Sequence, residues 1–321
     1  MKVLVTGATG FVGSHLLKEL SDHKIEVIAL ARNLEKWEQK KEEFDLNISV
    51  LNKSLGELKK DDLPQDLDAV IHTAGLVHSF EKKFFFEVNT ELTENFFKIL
   101  KEKYSKLHFI FISSLAALGP LDDKGHYLER PVSDYGVSKL KAEEFLKDKK
   151  PENWKLNIVR PPMVIGPGDT AVVDIYKTVK LPLWPITGFL GKKTPYSFIS
   201  VFDLVSFCLE ILNSEKVPFL THPAFPETPT FNELMQQISK QLKVSPKKTL
   251  KVPPLLLKFS GQLNRSLSKL GFSPPNLSPD KVYELCAAGW ICPNDTNFSY
   301  KWDLKRTLEV TIDDYKERGW I

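Results

Sequence analysis

Met1-Lys2-Val3-Leu4-Val5-Thr6-Gly7-Ala8-Thr9-Gly10-Phe11-Val12-Gly13 is the stretch from which the rest of the chain can be read. Val3 to Val5 is a short apolar run with β-branched ends, closed by a glycine, and reads as a buried strand. From Ser14 to Leu20 apolar residues return at helical spacing. The three glycines therefore fall in a strand-to-helix turn, where each has a use. Gly7 permits a tight turn, Gly10 lets a pyrophosphate approach the backbone, and Gly13 lets the helix lie close on the strand. A helix N-terminus adds free N–H groups and a partial positive charge. Thr9, Phe11 and Val12 belong to the same cradle. Without the strand before it and the helix after it, such a glycine triplet would be an ordinary loop.

Further strands follow outward from this turn. Glu26 to Ala31 is the second. At its end a site that prefers NAD usually carries an acidic residue for the ribose 2′-hydroxyl, but here the chain reads Ala31-Arg32-Asn33. The planar donor fork of Arg32 suits a 2′-phosphate, so the expected cofactor is NADP(H) rather than NAD(H). Asn47 to Leu51, Asp68 to Thr73 and His108 to Ile112 give three more strands. Thr73-Ala74-Gly75 has side chains small enough for a cofactor to lie against, and the fifth strand runs into Ser113-Ser114. Asn89 to Lys101 is an amphipathic helix with Leu92, Phe96, Phe97 and Leu100 on its apolar side. Strands alternating with helices predict an α/β fold, a Rossmann-type doubly wound parallel sheet. Ligands then bind beyond the carboxyl ends of the strands, where Gly10, Arg32, Thr73 and Ser114 all fall.

Tyr135-Gly136-Val137-Ser138-Lys139 sits inside a helical pattern that continues to Leu146. Tyrosine and lysine four residues apart share a helix face. A free tyrosine titrates near pH 10 and is a poor base at neutrality. An ammonium beside it favours the phenolate, as does the positive charge of an oxidised nicotinamide. The expectation is a tyrosine pKa below its ordinary value.

These residues together resemble an extended short-chain dehydrogenase/reductase, of the NAD-dependent epimerase/dehydratase group that includes the 3β-hydroxysteroid dehydrogenase-like enzymes. The resemblance also takes in Val88-Asn89, Arg160-Pro161-Pro162, Gly166-Pro167-Gly168 and Phe198-Ile199-Ser200-Val201-Phe202-Asp203. It implies that Tyr135 is the acid/base, that Ser114 holds the substrate oxygen, and that Lys139 binds the nicotinamide ribose and lowers the tyrosine pKa. Pro162 joins the cofactor-binding set, and Ser113 is structural. In the last motif a serine, Ser200, stands where the family usually has a histidine. The family also implies a homodimer through the helices at 89–101 and 135–146.

The chain has 321 residues, 42% hydrophobic and 26% charged, with a net charge of +3. That is ordinary for a globular protein and too weakly basic to argue for nucleic acid. Length and pattern predict a cofactor domain over 1–170 and a smaller, proline-interrupted substrate domain over 171–321, with a segment near 198–212 returning to the first. Three cysteines without a C-x-x-C pair argue against a disulfide framework. With no signal-like start and no apolar run long enough to span a bilayer, the expected location is cytoplasmic. The histidines and cysteines make no metal motif. Thr230 to Glu233 is a capping box for a helix to Leu242, and Ser278-Pro279 opens another helix. Leu256, Phe259, Leu263, Leu267 and Leu270 form an apolar stripe beside Lys258, Arg265 and Lys269. This reads either as a helix packed on the protein or a partner, or as one making peripheral membrane contact.

The function expected is an NADP(H)-dependent oxidoreductase interconverting a secondary alcohol and a ketone on an apolar small molecule. A sugar-nucleotide epimerase and a non-catalytic NADP-sensing protein are the alternatives. Ser114 is followed by Leu115-Ala116-Ala117, which transfer no protons, whereas dehydratases of the group have an Asp-Glu pair there. Epimerases of the group place an arginine seven residues before the aspartate, where this chain has Tyr196, with Lys192 and Lys193 nearby. Phe80, Phe84, Phe85, Trp184, Phe189 and Tyr196 lean apolar around the expected cleft.

Overall fold

The computed structural model describes residues 1–170, 172–187, 194–214, 216–272 and 277–321. Phe189, Lys192 and Lys193 lie outside the described residues. In chain order the elements are β1 (Lys2–Thr6), α1 (Phe11–Asp22), β2 (Glu26–Leu30), α2 (Leu34–Glu43), β3 (Ser49–Leu51), β4 (Ala69–His72), α3 (Lys82–Phe86), α4 (Leu92–Lys103), β5 (His108–Ile112), α5 (Asp134–Lys149) and β6 (Lys155–Val159). They continue with β7 (Met163–Ile165), α6 (Val173–Val179), β8 (Trp184–Thr187), β9 (Phe198–Ser200), α7 (Val201–Asn213), β10 (Leu220–Thr221), α8 (Phe231–Gln241), β11 (Thr249–Val252), α9 (Pro254–Lys269), α10 (Pro279–Leu285) and α11 (Leu304–Glu317).

Seven parallel strands form the main sheet in the order β3-β2-β1-β4-β5-β6-β10. Val3 to Thr6 lies between Val27–Leu30 on one side and Ala69–His72 on the other. The direction of winding reverses between β1 and β4, and a crevice opens at such a switch point beyond the strand ends. Because side chains alternate along a strand, β1 feeds two cores. Val3 and Val5 pack with Leu16 and Leu20 of α1 and with Leu204 and Ile211 of α7. Leu4 packs on the opposite face with Phe96 and Leu100 of α4 and Leu146 of α5. Burial on both faces explains why these strands read as continuous apolar runs rather than alternating ones.

The charged run of α2 is a solvated face, with Trp37 as its one buried side chain. β3 begins at Ser49, two residues later than the sequence suggests. The helix expected from Asn89 is longer than its pattern shows. α3 precedes it, and a π-helical turn over Glu87–Glu91 joins the two. Beyond Gly168 a third core gathers Tyr176 of α6, Trp184 of β8, Met235 and Ile238 of α8, and Leu308 and Tyr315 of α11. The Thr230 capping box and the Ser278-Pro279 helix start form as the sequence predicts. Ser200, in the place of the usual histidine, caps α7 through its hydroxyl. Asp203 accepts from the backbone N–H groups of Lys301 and Trp302, each at 3.0 Å, and so ties α7 to the chain's last quarter. Among the described residues, no helix is long and apolar enough to cross a membrane.

Candidate active site

The turn after β1 is as tight as its glycines demand. Gly7 has φ +68°, a left-handed conformation that side chains disfavour. A Cβ on Gly13 would lie 2.1 Å from the Gly7 carbonyl oxygen, so α1 rests directly on the turn. Gly10 is the N-cap of α1. The first turn contains no acidic residue, and no side chain caps it. Its N–H groups, which an α-helix cannot pair internally, face the crevice with the positive end of the dipole. These are features of a cradle for a pyrophosphate, and the residues present fit a dinucleotide. Thr9, Phe11 and Val12 line the same turn.

Thr73, Ala74 and Gly75 follow β4 immediately beside the turn. The Thr73 hydroxyl donates to the Thr6 carbonyl at 2.7 Å, and the Ala74 N–H donates to Thr6 Oγ1 at 3.3 Å. His72 bridges Thr6 Oγ1 and Thr93 Oγ1 at 2.7 and 3.0 Å, and burial pushes its pKa down to about 3. It is a neutral core residue that pins β1 to β4 and α4. Arg32 is exposed just beyond β2, while its neighbour Asn33 caps α2 by accepting from the Lys36 N–H at 2.8 Å. No described acidic side chain forms an ion pair with Arg32, which is exposed to solvent. Pro162 is half-buried after β6, next to Pro161, whose carbonyl accepts from the Leu115 N–H at 2.9 Å.

Ser114, Tyr135 and Lys139 converge at the ends of β5 and α5. The Ser114 hydroxyl acts on the Tyr135 phenol as a polar neighbour that favours the phenolate, and Ser114 Oγ accepts from the Ala116 N–H at 3.1 Å. Lys139 Nζ donates to the Ile112 carbonyl at 2.9 Å and lies 4.8 Å from the centre of the Phe111 ring. A Cβ added to Gly75 would sit 3.1 Å from Lys139 Nζ. The cradle and the Ser-Tyr-Lys group therefore share one crevice. Gly136 is what lets α5 approach. A Cβ there would meet the Ala116 carbonyl oxygen at 2.3 Å, so a larger residue would push Tyr135 away from Ser114.

The tyrosine pKa corrects the expectation from sequence. Burial pushes the Tyr135 phenol up to about 12, against the pull of the Ser114 hydrogen bond. Burial also lowers Lys139 to about 8, against the attraction of Glu143. Desolvation thus outweighs the pull of Ser114 at the tyrosine and of Glu143 at the lysine, because both groups are buried.

Several side chains support the site, of which Glu143, Ser133, Asp280 and Glu284 have no clear signal in the sequence. Asn89, in the π-helical turn, accepts from the Leu76 N–H at 2.7 Å and donates to the Leu76 carbonyl and Ser138 Oγ, both at 2.9 Å. It fixes the loop after β4 to α5. π-Turns of this kind often mark functional sites. Glu143 is wholly buried and takes a bidentate pair from Arg160 at 2.8 and 2.6 Å and a hydroxyl from Ser113 at 2.5 Å, which leaves Ser113 structural. Asp280, from α10, accepts from the N–H groups of Asp134 and of Tyr135 itself, the latter at 3.4 Å. Ser133 Oγ donates to Glu284 at 3.0 Å and accepts from the Gly136 N–H at 3.1 Å.

On the substrate side the aromatic residues divide. Phe85 is buried with its ring 6.1 Å from that of Tyr135. Phe84 is exposed, and Phe80 stacks edge-on with His78. Tyr196 is half-buried, pairs in a bridge with Trp290, and has its phenol pushed up to about 12 by burial. It stays neutral. Trp184 belongs to the third core, its indole donating to the Val179 carbonyl at 3.2 Å, and does not line the cleft. Leu115, Ala116 and Ala117 are buried and supply no proton carrier.

Comparisons with known proteins bear on the family and the fold. A family model described as the NAD dependent epimerase/dehydratase family matches residues 3–218. A ceramide reductase from Caulobacter vibrioides is 26% identical over 332 residues, covering 99% of this chain and 96% of that protein. A UDP-glucose 4-epimerase from Vibrio cholerae is 27% identical, covering 96% of each. Among solved structures, the UDP-glucuronic acid 4-epimerase of Bacillus cereus in complex with NAD superposes with a TM-score of 0.73 at 20% identity, over 99% of both chains. That last likeness speaks to the fold.

Proposed function

This chain belongs to the NAD dependent epimerase/dehydratase family, enzymes of the short-chain dehydrogenase/reductase type, and from that premise we propose that it interconverts a secondary alcohol and a ketone on an apolar small molecule with NADP(H). The observation that carries the reading is the set of apolar groups beside the Ser114–Tyr135 pair. The Phe85 ring lies 6.1 Å from that of Tyr135, and Leu115 to Ala117 follow Ser114. A neutral phenol, Tyr196, occupies the position where family epimerases keep a cation for a diphosphate. Large rings without such a cation suit a hydrophobic ligand better than a dianion. The full-length likeness to a ceramide reductase supports the same class.

In this reading the cradle residues Gly7, Thr9, Gly10, Phe11, Val12 and Gly13, with Thr73 to Gly75 and Pro162, hold the dinucleotide, and Arg32 meets its 2′-phosphate. When bound, the nicotinamide supplies or takes up the hydride. Ser114 Oγ donates to the substrate oxygen and fixes its distance from Tyr135. Tyr135 gives its phenolic proton to that oxygen during reduction and removes it during oxidation. Lys139, held by the Ile112 carbonyl, offsets the charge that the phenol acquires. Residues 1–170 are assigned to the cofactor and 171–321 to the substrate. The assembly is taken as a cytoplasmic homodimer on the family resemblance, which light scattering after size exclusion would check.

The second reading is a sugar-nucleotide epimerase, which the full-length likeness to the Vibrio cholerae enzyme favours. A thermal-shift screen of the NADP complex separates the two. Hydrophobic ketones should raise the melting temperature and support NADPH oxidation, and UDP-sugars should do neither. Stabilisation by a UDP-sugar alone would move the assignment to the epimerase.

A further inference from the structure

Helix α9 presents an apolar side to solvent. Leu255 is 77% exposed, Leu256 59%, Phe259 69% and Leu270 74%, with Leu263 and Phe272 exposed beside them. At 3.6 residues per turn these helical positions form one row. Gly261 and Asn264 fall on the opposite side. Gly261 is buried there, and the Asn264 amide donates to the Leu277 carbonyl at 3.1 Å. The helix therefore packs on the protein with its small and polar side and turns its large aliphatic and aromatic side outward. That inverts the usual placement on a globular surface.

The segment that carries this row is basic. Between Glu233 and Asp280 the sequence contains eight lysines and arginines and no acidic residue, in a chain whose net charge is only +3. The rest of the molecule is thus net acidic, and the basic segment is the one that carries the apolar row. On α9 itself, Lys258, Arg265 and Lys269 follow one another along a single flank of the row. Glu81 reaches the last two from outside the segment, at 3.6 Å each. Lys258 lies 5.8 Å from the centre of the Tyr283 ring.

We propose that the α9 face docks on an anionic lipid bilayer, with the row from Leu255 to Leu270 entering the headgroup boundary and the flanking cations meeting lipid phosphates. An apolar row with basic flanks is what partitions into such an interface. A second copy of the chain is the poorer occupant. Two-fold contact through this face would bring two acid-free basic segments together. The docking is independent of the substrate reading, since it needs only lipid. It does have a consequence for the site. α9 packs on α10, and α10 holds the backbone of Tyr135 through Asp280, so the crevice lies close behind the docked surface.

The test is co-sedimentation of the full chain with extruded vesicles of phosphatidylcholine alone, or of phosphatidylcholine with about one-third phosphatidylserine, neither of which carries a free ketone or hydroxyl group. The expected result is binding to the anionic vesicles at least about tenfold stronger than to the neutral ones, lost at high salt. Leu256→Gln, Phe259→Gln and Leu263→Gln combined should lower binding by at least about tenfold, with an unchanged melting temperature, because these side chains are exposed. Lys258→Glu should weaken binding to the anionic vesicles alone. A chain that stays in the supernatant with both vesicles overturns the proposal, as does a triple variant that binds like wild type. A triple variant that turns a dimer into a monomer, while wild type ignores vesicles, assigns the face to a second copy instead.

Discussion

The turn between β1 and α1 and the wall that α10 builds against the start of α5 are specified by opposite means. The turn is made of backbone. Its shape follows from the absence of side chains at Gly7 and Gly13, and its charge follows from a helix N-terminus with no acidic residue nearby. The wall is made of side chains that reach across long sequence separations, as Asp280 reaches Tyr135 over 145 residues. A backbone site tolerates one arrangement and serves one kind of ligand, a nucleotide pyrophosphate. A side-chain wall can change its ligand by substitution without disturbing the fold. The cofactor end should therefore respond to mutation through affinity, and the substrate end through rate and specificity.

The sharpest test of that contrast is Tyr135→Phe, at the point where the two regions meet. Removing the phenolic proton should lower kcat for reduction of an accepted ketone by about 10²-fold or more, while NADPH binding measured by fluorescence titration stays near wild type. An unchanged rate would remove Tyr135 from the chemistry and leave only the cradle standing. At the cofactor end, Arg32→Ala should weaken NADP by roughly tenfold and leave NAD almost unaffected. A charge-assisted pair is worth about 1.5–3 kcal/mol, and solvent exposure of Arg32 places it at the low end. Calorimetry showing a wild-type preference for NAD would break the reading of Arg32.

The contrast also accounts for what the sequence reveals. Local rules sufficed for the glycine turn, for the strand end at Ile112 and, to within one residue, for those at Thr6 and His72, for the Thr230 capping box and for the Ser278-Pro279 helix start. Each depends on neighbours within a few residues. The misreadings are all non-local. Trp184 looks like a cleft ring in a proline-rich segment, but its indole finds the Val179 carbonyl and it enters the third core. The Tyr135–Lys139 spacing correctly places both groups on one face. It says nothing of the burial that drives the tyrosine pKa up and the lysine pKa down. The π-helical turn at Asn89 leaves no mark in the apolar periodicity of α4. Gly136 had a readable clue, since a glycine directly after the tyrosine in a helix needs a packing reason.

The pKa values supply the next test. Lys139 loses its proton near pH 8 because burial disfavours the ammonium, whereas Tyr135 keeps its proton until about 12. Reduction needs a protonated phenol and a neighbouring cation. Its kcat should be flat below pH 8 and fall by about tenfold per pH unit above it, as expected for a single essential proton. A reduction profile that rises through pH 8 to 10 would mean that Tyr135 is not the proton donor.

The smallest effect is expected at Asp280, whose carboxylate touches the Tyr135 helix through backbone N–H groups. Removing a helix cap costs about 1 kcal/mol, so Asp280→Ala should lower the melting temperature by a few degrees and kcat by only a few-fold, with KM for the cofactor unchanged. Its pH dependence has a definite sign. Burial raises the Asp280 carboxyl to about 6, and the like charges of Glu284 and Asp134 push the same way, while the two backbone N–H groups oppose them. A carboxyl whose folded pKa lies above its unfolded value of about 3.9 holds its proton more tightly in the folded protein. The stability it confers is fully present below the unfolded pKa and is lost as the pH rises through about 6. The melting-temperature gap between wild type and Asp280→Ala should therefore narrow between pH 5 and pH 7. A gap that widens over that range would show the ionised carboxylate to be the better cap. The backbone hydrogen bonds would then outweigh desolvation at this position, and α10 would be gripping the Tyr135 helix by charge.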